Sequence, residues 1–282
     1  INSYDDYATS KNGDLLTVQG VITGIVKKAD GWKSNSVYFQ CEDGGYYAYN
    51  VSDDAIANLQ VGMTILASGT YDLYNGTHEL MSATFTVVDE TITTVTPVDL
   101  TEAFLNASDL DAKELVYAQA FLVTLKGVEI TTQNASNGYL NFKLGNFESY
   151  LRISSSNNVP SKEVTEAIKA AHAEHFGWKA DVTGLVSVYN GKFYLIPVDG
   201  NAFSNWVEVE KTPEQKVDAE KGSLSIDSSY SADGTYPLPL AGKNYSDVVI
   251  SWASNNELVV INEDGTFNRM LHRAKKVKIG VL

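Results

Sequence analysis

The chain has 282 residues, 44% of them hydrophobic and 11% aromatic, with a formal net charge of −14 at pH 7. That length and apolar content exclude a disordered polypeptide and provide for two or three domains. The acidity argues against a general nucleic-acid binder, which needs Lys and Arg to displace counterions from phosphate, and against docking on anionic membranes.

Cys41 is the single cysteine, so neither an intramolecular disulfide nor a cysteine zinc site can form. No apolar run is long enough to span a bilayer. The chain opens with Ile1 rather than Met and reads as a mature or excised segment, in which the lack of a signal peptide says nothing about export. N-x-S/T triplets at Asn50, Asn75, Asn106, Asn134 and Asn244 matter only if the source glycosylates.

Residues 1–13 are a polar lead in which Tyr4 to Gly13 predicts a turn or short helix. A first domain is expected over 14–98. Leu16 to Ile22 reads as its first strand, with Gly20 and Gly24 marking a bend. Ser36 to Cys41 and Tyr46 to Val51 form a hairpin around Asp43-Gly44. Ser52, Asp53 and Asp54 start a short helix over 55–60, with acidic residues at its positive end. Thr64 to Tyr71 and Thr77 to Val87 follow, joined by Asn75-Gly76. Three strands, a helix and two strands match the five-stranded oligonucleotide/oligosaccharide-binding (OB) barrel.

Residues 99–112 read as a linker with a short helix from Leu100 to Asn106. A second domain is expected over 113–206 because the pattern repeats. GTYDLYNGTHEL, from Gly69 to Leu80, returns as GLVSVYNGKFYL, from Gly184 to Leu195. Ala120 to Ile130 is its first strand. A longer helix runs from a Ser161 cap towards Gly177, with Val164, Ile168, Ala171 and His175 on the stripe facing the barrel. Lys179 to Tyr189 and Lys192 to Val198 flank Asn190-Gly191. Asn201 to Glu210 leaves the barrel, with the linker at 207–213.

Residues 214–282 have a different grammar of short strands and turns: Ser223 to Ile226, Tyr236 to Leu240, Val248 to Trp252, Leu258 to Ile261, and Phe267 to Arg269 after an Asp264-Gly265 turn. That suggests a β-sandwich, incomplete because the chain stops at Leu282. The fold class is therefore mainly β: two tandem OB barrels, each with one helix between strands 3 and 4, and an incomplete sandwich.

Two resemblances sit on these residues. VQGVITG, VYFQCEDGGYYAYNV, LQVG and GTYDLYNGTHEL resemble bacterial extracellular OB-fold modules, found beside secreted nucleases and in surface lipoproteins of gut bacteria. The second repeat departs from them, since its hairpin LNFKLGNFESYLRI lacks Asp-Gly-Gly. VVISWASNNELVVINEDGTFNR is similar to truncated bacterial immunoglobulin-like domains. These resemblances imply export and a multidomain parent at the cell surface, but no activity.

No constellation for catalysis stands out, and the chain is read as non-enzymatic, without cofactor or metal. His172 and His175 form the only His pair. They are read as structural, with His175 packed under the barrel and His172 in solvent, because no third ligand accompanies them. Cys41 has no nearby His to activate it and reads as an inert thiol. Asp53 and Asp54 are explained by the helix start.

Aromatics are the candidates that remain. OB barrels bind on strands 2 and 3 and the adjoining loops, where rings stack on bases or sugars. That region holds Trp32, Tyr38, Tyr47 and Tyr49, with Lys33 in the basic loop of Lys27 and Lys28. Alternation places Tyr47 and Tyr49 on one face and Tyr46 on the other without saying which is exposed. The same rings could instead cover the barrel and a domain interface. The expected function is a non-catalytic binding or spacer module of a secreted or surface protein, in contact with its other domains. The alternative is binding of single-stranded nucleic acid or oligosaccharide by this aromatic face.

Overall fold

The computed structural model describes residues 1–28, 34–107, 113–131, 138–153, 162–175, 177–224, 234–254, 260–269 and 279–281. It divides into two units, Ile1–Val209 and Glu210–Leu282.

The first unit opens with α1 (Tyr4–Thr9). The Ser3 hydroxyl accepts from the Asp6 N–H and the Asp6 carboxylate accepts from the Ser3 N–H, a reciprocal cap that holds so short a helix. Then come β1 (Leu15–Val26), β2 (Asn35–Gln40), β3 (Gly45–Val51), α2 (Asp53–Ile56), β4 (Thr64–Tyr74) and β5 (Thr77–Asp89). The strands close in the order β1-β2-β3-β5-β4. Closure depends on β1 serving two neighbours. Its first half pairs with β4 and its second half with β2, with a register shift between Ile22 and Gly24. Gly20 is needed where the strand turns, because a Cβ there would lie 2.7 Å from the Gln40 carbonyl oxygen. The helix α2 begins where expected, with the Ser52 hydroxyl accepting from the Ala55 N–H, but it is a single turn rather than the span 55–60.

The second set comprises β6 (Val98–Asp99), α3 (Thr101–Asn106), a 3-10 turn at Lys113–Ala118, β7 (Leu122–Ile130), β8 (Tyr139–Leu144), β9 (Phe147–Arg152), α4 (Lys162–Glu174), β10 (Lys179–Tyr189), β11 (Lys192–Ile196) and β12 (Phe203–Val207). Its strands run β7-β8-β9-β11-β10, and β10 pairs back onto β7. That is the order of the first barrel. The parallel pairing inside each five-strand order also recurs, β3 with β5 at Ala48 and Leu80, and β9 with β11 at Leu151 and Leu195. Both Asn-Gly turns have positive φ at both positions, 50° and 84° at Asn75 and Gly76, 49° and 71° at Asn190 and Gly191.

Three details differ from the sequence reading. The segment after β11 does not leave the barrel, because β12 pairs antiparallel with β10 at its outer edge. The connector also contributes, since β6 pairs parallel with β7. Among the described side chains of α4 the buried ones are Thr165, Ile168 and His172; of the expected stripe Ile168 is buried, Ala171 and His175 are half-buried, and Val164 lies outside the described side chains. His172 is only 1% exposed, whereas His175 is half-buried, reversing their expected roles. The reason is Trp206 of β12, whose ring stacks on His175 at 4.3 Å and 14° and holds it at the barrel edge. Ser161 lies outside the described residues.

The two barrels are locked together. A cluster of Val26 and Tyr38 from the first and Leu122, Leu185, Tyr194 and Ile196 from the second joins them. Gln119 bridges the seam, its Oε1 accepting from the buried His78 N–H at 2.8 Å and its Nε2 donating to the Gly76 carbonyl. The Gln40 Oε1 accepts from the Leu122 N–H at 3.0 Å. The Thr77 hydroxyl donates to the Val188 carbonyl.

The second unit contains α5 (Pro213–Ser223), β13 (Gly234–Pro237), β14 (Trp252–Ser254), β15 (Thr266–Arg269) and β16 (Ile279–Val281). Among the described residues β13 pairs with β15 and β14 with β16, as two separate two-stranded sheets. The helix α5 replaces the expected linker end and the start of the Ser223 strand. Its signal was present: Thr212 and Gln215 cap each other reciprocally, and Pro213 fits the first turn. Residues 225–233, 255–259 and 270–278 lie outside the described residues, and with them parts of the strands expected at Ser223 to Ile226 and Leu258 to Ile261.

Gln119→Ala would leave the His78 N–H buried without its acceptor. We expect it to destabilise the first unit by about 1–3 kcal/mol in urea unfolding. A loss below ~0.5 kcal/mol would mean that this amide does not hold the seam.

Candidate functional site

In the first barrel β2 and β3 pair so that Tyr38 faces Tyr47. Alternation then separates the rings. Tyr46 points inward among Tyr7 and Phe39, whereas Tyr38, Tyr47 and Tyr49 lie on the outer face. The outer rings form a row, with centroids 4.7 Å apart for Tyr38 and Tyr47 and 6.0 Å apart for Tyr47 and Tyr49. The row does not open freely to solvent. Tyr38 is 3% exposed, covered by the second barrel, while Tyr47 and Tyr49 are half-buried. Burial pushes the Tyr38 phenol well above its ordinary range, next to Ser187 and Tyr194 of the second barrel. Trp32 and Lys33, expected to complete the patch, lie outside the described residues, and Lys27 and Lys28 are exposed.

The row continues on the second barrel. The Ser187 hydroxyl donates to the Tyr194 phenol at 2.9 Å. The Tyr194 ring stacks against Tyr150 at 5.2 Å and 11°, and Tyr150 meets Tyr139 edge-on at 4.8 Å. Tyr139 and Tyr150 belong to β8 and β9, the strands equivalent to β2 and β3. Pairing sets Tyr139 opposite Arg152, Asn141 opposite Tyr150, and Lys143 opposite Glu148. The outer face of this hairpin therefore carries two half-buried rings, an exposed amide, two cations and one exposed carboxylate. Its inner face, with Leu140, Phe142, Leu144, Phe147 and Leu151, lies in the barrel core.

The sequence reading missed this face. The same alternation rule, applied to YLNFKLGNFESYLR, finds it.

No protein-family model and no curated protein matches the chain. Among solved structures it is similar to the p204 HINb domain, at 12% identity over 67% of this chain and 96% of that chain, with a TM-score of 0.32. It is also similar to a murine DNA-binding protein bound with double-stranded DNA, at 11% identity over 69% and 100%, with a TM-score of 0.31. A third similarity is to a replication protein A heterotrimer bound to single-stranded DNA, at 14% identity over 66% and 49%, with a TM-score of 0.27. Likenesses of this size carry no ligand across. The barrel assignment rests on strand order alone.

Beside the row, Glu79 of β5 is a carboxyl 6% exposed. Burial, and then Asp72 opposite it on β4, push its pKa from the ordinary 4.5 to about 7. Tyr47, Tyr38 and Tyr7 also feel its charge. Its neighbour His78 points the other way, into the first barrel, where its Nδ1 is hydrogen-bonded to the Tyr71 phenol at 2.7 Å. Burial holds the His78 pKa below its ordinary 6.5.

The two groups limit stability from opposite sides. The folded state holds the Glu79 proton that the unfolded chain has released, so its contribution is full below pH 4.5 and lost as pH rises through about 7. His78 stays neutral in the fold, so its contribution is present above pH 6.5 and lost as pH falls through its depressed pKa. Glu79→Gln should abolish the loss between pH 5 and 8, a gain of about 1 kcal/mol at pH 8 after solvent screening. Thermal melts across that range check it. An unchanged slope in the variant would remove Glu79 as the cause.

Proposed function

We propose that the two barrels act as one non-catalytic binding module whose ligand surface is the outer face of β8 and β9, continued by the tyrosine row. The observation that carries this is the placement of Tyr139, Asn141, Tyr150 and Arg152 together on the strands that OB barrels use for binding. The equivalent face of the first barrel is partly used to hold the second.

The ligand class we propose is oligosaccharide. Ring faces flanked by an amide and mixed charges suit the alternating apolar faces and hydroxyls of sugars. A nucleic-acid backbone calls for a series of cations, and here the two cations share the face with Glu148 on a chain of net charge −14. The resemblance of the repeats to extracellular OB-fold modules supports placing this module outside the cell, within a longer surface protein.

Titration calorimetry with a panel of oligosaccharides and with oligothymidylate at low salt tests the reading. Saccharide binding should weaken about tenfold in Tyr139→Ala, a partly exposed ring whose loss leaves the core intact. Binding of oligothymidylate alone would replace saccharide with single-stranded nucleic acid. No binding of either would leave the barrels a spacer.

A further inference from the structure

Among the described residues, Arg152 is the one cation that sits within the tyrosine row rather than beside it. It ends β9, opposite Tyr139 and two residues beyond Tyr150, so all three share the outer face. Its guanidinium carbon lies 5.8 Å from the Tyr194 ring centroid, and Tyr194 is itself stacked on Tyr150. The side chain is therefore held by aromatic neighbours on a packed seam.

The Arg152 Nε–H is buried and has no hydrogen-bond acceptor among the described residues. Nor does Arg152 make an ion pair among them, where the four ion pairs all involve lysines. Glu148, on the same face, is four residues back along the strand, roughly 13 Å away at ~3.3 Å per residue. The Nε–H is occluded and is not the group a ligand meets; the two Nη groups form the edge that can grip a carboxylate through two parallel hydrogen bonds.

We infer that Arg152 anchors a carboxylate on the saccharide, so that the module selects uronate-containing chains over neutral ones. This rests on the saccharide reading of the same face. A single carboxylate per sugar suits it better than a polyphosphate, because Arg152 is alone in the row and Lys143 is already opposite Glu148. The rings of Tyr139 and Tyr150 lie to the side of the guanidinium, where the sugar ring bearing that carboxylate would stack.

The test is calorimetry with a panel of uronate trisaccharides, their methyl esters and oligothymidylate, on the wild-type chain, Arg152→Gln, Arg152→Lys and Tyr139→Ala. The methyl ester keeps the sugar and removes the charge. The acid should bind about tenfold more tightly than the ester, the effect of one charge-assisted hydrogen bond. Arg152→Gln should abolish that difference while ester binding persists. Arg152→Lys should restore only part of it, because a lysine cannot offer the paired edge. Equal binding of acid and ester, or a preference that survives in Arg152→Gln, overturns the inference and leaves the saccharide reading standing. No saccharide binding, or no effect of Tyr139→Ala on any saccharide, overturns both. Oligothymidylate binding lost in Arg152→Gln, without saccharide binding, overturns both in favour of nucleic acid. Matching thermal melts establish that each variant is folded.

Discussion

The structure depends on one close approach, that of the second barrel to the β2–β3 side of the first. Two glycines mark how tight it is. A Cβ on Gly45 would lie 2.2 Å from the Gln119 carbonyl oxygen, and one on Gly24 would lie 2.5 Å from the Leu185 Cδ1. Gly76 lies against Gly191, so the duplicated Asn-Gly turns meet each other. With backbones this near, polar groups on the seam lose water and must be satisfied across it. Gln119, Gln40 and Thr77 supply those partners. Ala120 adopts φ of 66° at the same place while fully buried, a conformation that the surrounding contacts must hold against its intrinsic cost.

This constraint gives two barrels of equal topology unequal duties. In both, a hairpin presents tyrosines outward from strands 2 and 3. In the first, Tyr38 is consumed as packing material, and its phenol is buried deeply enough to be shifted far from its ordinary range. In the second, Tyr139 and Tyr150 stay half-buried, with hydrogen-bonding groups on either side. The row of rings links the two roles, because Tyr194 touches the seam on one side and the Tyr150 ring on the other.

Much of the fold was legible in the sequence because its determinants are local. Asn-Gly needs positive φ at both positions, and the turns fall at Asn75 and Asn190. Alternation separated Tyr46 from Tyr47 and Tyr49, though not inside from outside. What failed was non-local. Trp206 is distant in sequence from α4 yet stacks on His175 at the barrel edge, a contact that no helical periodicity encodes. The pairing of β12 with β10 is likewise a tertiary choice, made by a five-residue segment with little pattern of its own. The helix α5 was a different kind of miss. Its capping box and Pro213 are local signals of a helix start, where a linker end and a strand are expected from the sequence.

The candidate site shows the same division more sharply. Sequence reasoning placed it on strands 2 and 3 of a barrel, where the rings are, and on the first barrel, where Tyr38, Tyr47 and Tyr49 lie near the basic loop of Trp32 and Lys33. Ring count does not separate the two hairpins by exposure, since Tyr47 of the first and Tyr150 of the second both pack against the seam cluster; what differs is Tyr38, which is covered, and Tyr139, which is half-buried. The first hairpin packs against Leu185, Tyr194 and Ile196, residues that form one surface only after β10 and β11 pair. Richness in tyrosine there reflects the needs of a seam that is apolar in area yet crossed by hydroxyls, which tyrosine meets with ring and phenol together. The second hairpin has fewer rings and more varied polar groups on its outer face, with Asn141 and Glu148 exposed and Lys143 and Arg152 half-buried.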